Sequence, residues 1–411
     1  TGGSIAIGSS SWPQTDWTAG SGSTSTATGF SSSTAISTSS GAFSVSAGGY
    51  SLSGGTWTYR KQITFDNGSS TTDLTNFPVL VKLDSNDLNF ALAQSAGQDI
   101  RFTDSDGSTE LSYEIEDWSN GSSTANVWVK VPQVNGTSTT DNIYMHYGNA
   151  SAADGQASTS VWSNNYAAVY HMNNTPGSAG DTKDSTSNVN NGTSSNMTAS
   201  NRVAAKIGDG FDFTLATNDS VTVPNSASLN ITGDQLMLEL WVKSSFTQVD
   251  YAGVIQKAAI NSPSAGLHRG YDLFLFAADH GYLILDQGQW NDTPADYIDN
   301  QWHYMIIVFN GSTDLLKMYK DGVQTLTADP VATNIRDSSS TVLTIGADPS
   351  NQNYKGYMDE VRISSSSRSA SWIVAQYKSM SDTFNTFGSE ETTSNATGTL
   401  VSNIFDAGAG G

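Results

Sequence analysis

Strict two-residue alternation governs this sequence. Leu236, Leu238, Leu240 and Val242 fall on one side of an extended chain, and Glu239, Trp241 and Lys243 on the other. Only a β-strand puts every second residue on one face. The pattern recurs at Ile63 and Phe65, and at Val79, Val81 and Leu83, which alternate with Leu80 and Lys82. Val127, Val129 and Val131 alternate with Trp128 and Lys130, and Ile143, Met145 and Tyr147 follow. Leu273 and Leu275 alternate with Phe274 and Phe276; His303, Met305, Ile307 and Phe309 alternate with Tyr304, Ile306 and Val308. Turn sequences such as Asp66-Asn67-Gly68, Asp104-Ser105-Asp106-Gly107 and Lys320-Asp321-Gly322 separate the runs. Strands so spaced predict an all-β fold of tandem β-sandwiches. Runs apolar on both faces are expected at the centre of a sheet. Only Ser369 to Met380 reads as helix, with Ser371 as its cap and Ile373, Val374 and Tyr377 as its apolar stripe.

Composition narrows the function. The chain has 411 residues, room for two or three domains. Its net charge of −21 argues against nucleic acid and anionic membranes, which select basic surfaces. No apolar run approaches the roughly 20 residues of a membrane span. The absence of Cys excludes thiolate chemistry and disulfides. Aromatic residues at 10% oppose disorder despite the abundant Ser, Thr and Gly. Four segments follow: a Ser/Thr/Gly-rich β segment over 1–54, a first sandwich over 55–160, a larger one over 161–380, and a C-terminal β segment over 381–411. The terminal segments are expected to be β-rich, as a stalk or as exchanged strands.

Two stretches resemble known families. Trp57-Thr58-Tyr59-Arg60, Phe77-Pro78-Val79-Leu80-Val81, Asp99-Ile100-Arg101-Phe102, Val127-Trp128-Val129-Lys130-Val131-Pro132 and Tyr147-Gly148-Asn149 resemble a surface-protein domain family of unknown function, over 57–150. Tyr170-His171-Met172-Asn173, Gly208-Asp209-Gly210-Phe211-Asp212-Phe213, Glu239-Leu240-Trp241-Val242-Lys243, Gln301-Trp302-His303 and Met358-Asp359-Glu360-Val361-Arg362-Ile363 resemble a laminin-G-like, concanavalin-like jelly roll, over 168–380. The second resemblance implies a sandwich whose relatives bind glycans or proteins, often with calcium. In that family the loop Asp and the Asp before Glu-Val-Arg-Ile often lie near the ion, which implies Asp184 and Asp359 here.

Candidate sites are few. Calcium takes about six to eight oxygens, and the loop Asp184 to Asn191 is dense in them. Asp184, Asn188 and Asp359 are the candidate ligands. An Asx-rich turn that satisfies its own backbone is the competing reading. A sugar site pairs an exposed aromatic with amides and carboxylates. Trp290, Asn291 and Asp292, with Tyr251 and Tyr297 on nearby loops, form the best such cluster. Glycosidases need two carboxylates roughly 5 to 9.5 Å apart. Glu114-Ile115-Glu116-Asp117 offers alternate acids, but these read as solvent-facing, and no catalytic residue is assigned. His171 and His303 are expected to be packed within strands.

The sequence therefore reads as a non-enzymatic extracellular or cell-surface protein for adhesion or assembly. Its jelly roll is expected to bind a glycan or a surface protein. An alternative is a filament subunit that joins copies of itself by strand exchange, through Ile5/Ile7, Phe43/Val45 and Ile404/Phe405. A glycan-processing enzyme is the third reading, which the carboxylate pattern disfavours.

Overall fold

The computed structural model describes residues 49–214, 218–249, 251–260, 268–275, 281–285, 289–293, 296–328, 333–348 and 352–392. It also describes the short strands 30–34, 36–37, 44–45 and 399–402. Four sheets lie in layers. A five-stranded sheet and a three-stranded sheet form one sandwich; an eight-stranded and a seven-stranded sheet form the other.

The alternation explains the layers. In strand Leu74–Leu83, Phe77, Val79 and Val81 point into the first core, beside Ile63, Phe102 and Met145 of the facing sheet. In strand Gln235–Lys243, Leu236, Leu238, Leu240 and Val242 point into the second core, with Ile255, Leu273 and Ile345 across from them. The other faces are buried too. Leu80 and Trp128 of the three-stranded sheet meet Met237, Trp241, Tyr304, Ile306 and Val308 of the eight-stranded sheet. Two-faced apolar strands thus arise because one sandwich packs on the back of the other.

The helix spans Ala370–Met380 and wedges between the two sandwiches. Ser369, not Ser371, caps it by accepting from the Trp372 amide at 3.2 Å. Its buried face differs from the expected stripe. Trp372 and Ala375 enter the first core, Ile373 and Met380 enter the junction, and Val374 is exposed. Beyond it, strand Asn385–Thr392 pairs antiparallel with Tyr59–Phe65 at the edge of the five-stranded sheet. The first sandwich is therefore built from chain on both sides of the second.

The turns behave as their chemistry requires. Asp321 and Gly322 have φ of 53° and 77°, the left-handed pair of a tight hairpin. Asp106 accepts from the Ser108 and Thr109 amides, which makes Asp104 to Gly107 a plain turn. At the chain ends, Phe30–Thr34 pairs with Thr399–Ser402. Ile5, Ile7, Phe43, Ile404 and Phe405 lie outside the described residues.

Candidate functional site

The seven-stranded sheet has one face in the second core and one turned away from it. Cross-strand partners share a face, so the outward face can be read from the register. Thr222 stands opposite Thr344, Thr344 opposite Gln256, Gln256 opposite Asp272, Asp272 opposite Ile284, and Ile284 opposite Trp290. A parallel row runs from Phe274 through Tyr282 to Asp292. Four strands thus carry a polar row, and its register continues through Ile284 to the edge strand Gln289–Thr293. Gln256 and Asp272 are buried, and Gln256 Oε1 has no hydrogen-bond partner. An unpaired buried amide oxygen costs roughly 1–3 kcal/mol, which a ligand donor would recover.

The expected sugar cluster is only partly assembled. Trp290 and Asp292 occupy the outward register, whereas Asn291 pairs with Leu283 on the core side, since side chains alternate along a strand. The side chains of all three lie outside the described residues. Tyr251 is half-buried and stands edge-on to Phe274, with ring centroids 6.1 Å apart, so it belongs to the outward face. Tyr297 is a correction. It is 1% exposed and packed in the second core, so it offers no platform. Thr222, Thr344, Gln256 and Asp272 escaped the sequence reading. Their only signal is a polar residue at one alternate position of an otherwise apolar strand.

The acidic loop is organised from within. The Asp184 carboxylate accepts from the amides of Val169, Thr186 and Asn190 and from the Thr186 hydroxyl, at 2.8 to 3.0 Å. Asn188 turns its amide nitrogen to the carbonyls of Tyr166 and Ala167. Both residues thus serve the loop and the strand beside it, the Asx-turn pattern. Asp359 lies elsewhere in its role: it faces the junction and accepts from the Ile207 amide at 2.8 Å.

The junction holds the densest charge in the described residues. Glu114 and Glu116 are two apart on strand Tyr113–Ser119 and share its outer face. They were expected to face solvent, but the second sandwich covers that face: the Glu116 side chain is fully buried and Glu114 nearly so. From the other side comes strand Tyr357–Ser364. Met358, Val361 and Ile363 enter the second core. Glu360 has φ of 53°, at a bulge opposite Glu239 to Trp241. That left-handed residue breaks the alternation, so Asp359, Glu360 and Arg362 all serve the junction. His171 follows strand Tyr166–Tyr170 and sits among them. Its Nδ1 is 2.5 Å from Glu360 Oε1 and 3.5 Å from Glu116 Oε2, and its Nε2 is 3.3 Å from Glu114 Oε2.

Each carboxylate is held by a further donor. Trp162 Nε1 and Ser185 Oγ donate to Glu114, at 2.5 and 2.7 Å. Trp128 Nε1 donates to Glu116 at 2.6 Å. The Arg362 guanidinium forks onto Glu360 and lies 4.3 Å from the Trp128 ring centre. Burial opposes charge on His171, but Glu360, Glu114 and Glu116 outweigh it and hold the imidazole well above its usual pKa. Burial, then the Glu360 charge, pushes Glu116 and Asp359 well up. Glu360 itself, despite burial, is drawn down to about 2 by His171 and Arg362.

These features define an all-β protein of two sandwiches welded back to back, with one polar sheet face left outward. Residues 96–194 match the model of a domain of unknown function, DUF2341, and residues 215–374 match that of the concanavalin A-like lectin/glucanases superfamily. The two matches come in the order that the motifs of the sequence suggest. The first match includes Glu114, Glu116 and His171 in one stretch. No curated protein matches the chain. Among solved structures, domain 4 of an extracellular arabinanase from Geobacillus stearothermophilus, in complex with arabinotriose, is similar at 17% identity and a TM-score of 0.39. That match covers 52% of this chain and 98% of that one. The binding domain of botulinum neurotoxin serotype G is similar at 14% identity and 0.39, covering 52% and 50%. That of Paraclostridial Mosquitocidal Protein 1 matches at 13% and 0.38, covering 51% and 52%. The chain thus spans about half the length of the two toxin domains. Similarities of this size carry no binding residue over to this chain.

Proposed function

We propose that this chain is a non-enzymatic surface protein that binds a glycan on the outward face of its seven-stranded sheet. The observation that carries this reading is the polar row Thr222, Thr344, Gln256 and Asp272, which runs across four strands and continues through Ile284 into the register of Trp290, with Gln256 Oε1 unpaired. Sugars present alternating hydroxyls and apolar ring faces. A buried amide and carboxylate in one row suit that chemistry. The match to the concanavalin A-like lectin/glucanases superfamily over 215–374 supports a carbohydrate as the ligand class. The enzyme reading loses its carboxylate pair, since Glu114 and Glu116 are taken up by the junction. An extracellular or cell-surface location is part of this reading, in keeping with the Ser/Thr-rich, acidic composition. Adhesion is the role in this reading. Strand exchange between copies is the alternative reading.

A glycan array on the full chain, followed by titration with the best ligand, tests the proposal. Trp290→Ala and Gln256→Ala are expected to weaken binding at least tenfold while both variants keep a cooperative thermal transition. A chain that binds no glycan, or variants that bind as the parent does, overturn it.

A further inference from the structure

Among the described residues, one group of His and acidic side chains is close enough to surround a metal ion: Glu116, His171 and Glu360, whose ligand atoms all lie within 4.8 Å of one another. We propose that this group is a closed zinc-class site that clamps the two sandwiches together, with Glu116 supplied by one sandwich and His171 and Glu360 by the other. This goes beyond the glycan reading and does not rest on it.

The chemistry of the donors selects the ion. One imidazole nitrogen with carboxylate oxygens suits Zn2+ and its transition-metal neighbours. Calcium takes about six to eight oxygens and no nitrogen. Mg2+ keeps several waters, and this group is buried, with the Trp128 and Trp162 rings beside His171. Each of the three residues offers one donor atom, and the second oxygen of Glu116 is a candidate for a fourth position. Glu116 Oε1 has no partner although its side chain is fully buried, the independent sign that a ligand is missing from the account of protein groups alone. Asp359 Oδ1, also buried and unpartnered, adds negative charge beside the group.

The surrounding contacts are those a metal-bound histidine needs. When Nδ1 binds a cation, Nε2 must carry the ring's proton and hand it to an acceptor. Glu114 Oε2 is that acceptor at 3.3 Å, and Trp162 and Ser185 fix its orientation. Trp128 orients Glu116 and Arg362 orients Glu360 in the same way. Without a cation, a proton on Nδ1 does its work: it bridges to Glu360 at 2.5 Å, closer than the roughly 3.3 Å that separates two ligands on a tetrahedral ion. Metal entry therefore displaces that proton and moves Glu360 outward by less than about 1 Å. The 3.5 Å spacing of Nδ1 and Glu116 Oε2 already suits both states.

The test uses the full chain, stripped with a chelator and then titrated with Zn2+ or Co2+ alone. One equivalent is expected to bind. Co2+ is expected to show the visible absorption of a low-coordinate nitrogen–oxygen complex and to quench the emission of Trp128 and Trp162, which touch the ligands. Zn2+ is expected to reverse the quenching and to raise the Tm by roughly 3 °C or more when well above its Kd. Glu116→Gln and His171→Gln, if folded, are expected to lose all of these effects. If either fails to fold, the Co2+ absorption and the Trp quenching of the parent chain still decide. No equivalent bound, or binding without Trp quenching, or binding that survives both variants, overturns the proposal and leaves the cluster as an imidazolium among carboxylates.

Discussion

Trp372, on the helix that follows the last strand of the second sandwich, stands edge-on to Phe77 of the first, with ring centroids 4.7 Å apart and planes at 87°. The two residues are nearly three hundred positions apart in the chain, yet both belong to the first core. Phe384 and Phe387 join them there, and strand Asn385–Thr392 closes the edge of the five-stranded sheet. The second sandwich is thus an insertion between the parts of the first.

One consequence concerns truncation. A chain ending at residue 368 loses Trp372, Ala375 and Phe384 from the first core and exposes the edge strand Tyr59–Phe65. Such open edges pair with other chains. This truncated chain is expected to aggregate or to lose cooperative unfolding of the first sandwich, while a chain ending at residue 392 behaves as the parent does. Size-exclusion chromatography and thermal unfolding of the two check this.

The buried Arg362 is the main cation of the junction. It pairs with Glu360 and acts on Glu239, which accepts from the Tyr304 hydroxyl. Removing one partner of a buried pair leaves the other uncompensated, at about 3–5 kcal/mol. Arg362→Met is expected to cost that much, measured by denaturant unfolding. A change under about 1 kcal/mol would show that solvent reaches the junction.

A third expectation is a pH dependence set by His146. The ring is buried, bonded through Nε2 to Thr103 at 2.9 Å, and held down to about 4, first by burial and then by Arg60. Tyr50 and Tyr144 are its other neighbours. The unfolded chain binds this proton at about 6.5, so it takes up more protons than the folded chain between those values. Stability from this group is therefore full above about 6.5 and falls as the pH drops toward 4, by about 3 kcal/mol at most. His146→Asn is expected to flatten that part of the stability–pH profile relative to the parent. An unchanged slope would refute the assignment.

Calcium supplies a fourth test. The Asp184 carboxylate already accepts four hydrogen bonds within its own loop. Calcium added to the chelator-treated chain is expected to leave the Tm unchanged, and Asp184→Ala to lower the unfolding free energy by roughly 2 kcal/mol through lost bonds. A calcium-dependent Tm that vanishes in Asp184→Ala would restore the ion to this loop.

The sequence by itself determined the all-β class, the two families and the order of the strands, because alternation and turn chemistry are local. Leu236 to Val242 alternate whatever lies beyond them, and Asp321-Gly322 makes its turn from its own backbone preferences. Tertiary structure alone decided what the second face of each strand meets. Glu114 and Glu116 read as solvent-facing acids, and only the sandwich docked on them makes them buried partners of His171. The bulge at Glu360 likewise moved a carboxylate to the junction that strict alternation sends to the core. The polar row Thr222, Thr344, Gln256 and Asp272 draws on four strands, and no spacing along the chain encodes which strands become neighbours. Local pattern sets the face on which a residue stands. The pairing of distant segments sets what that face touches, and with it the charge, burial and chemistry of the site.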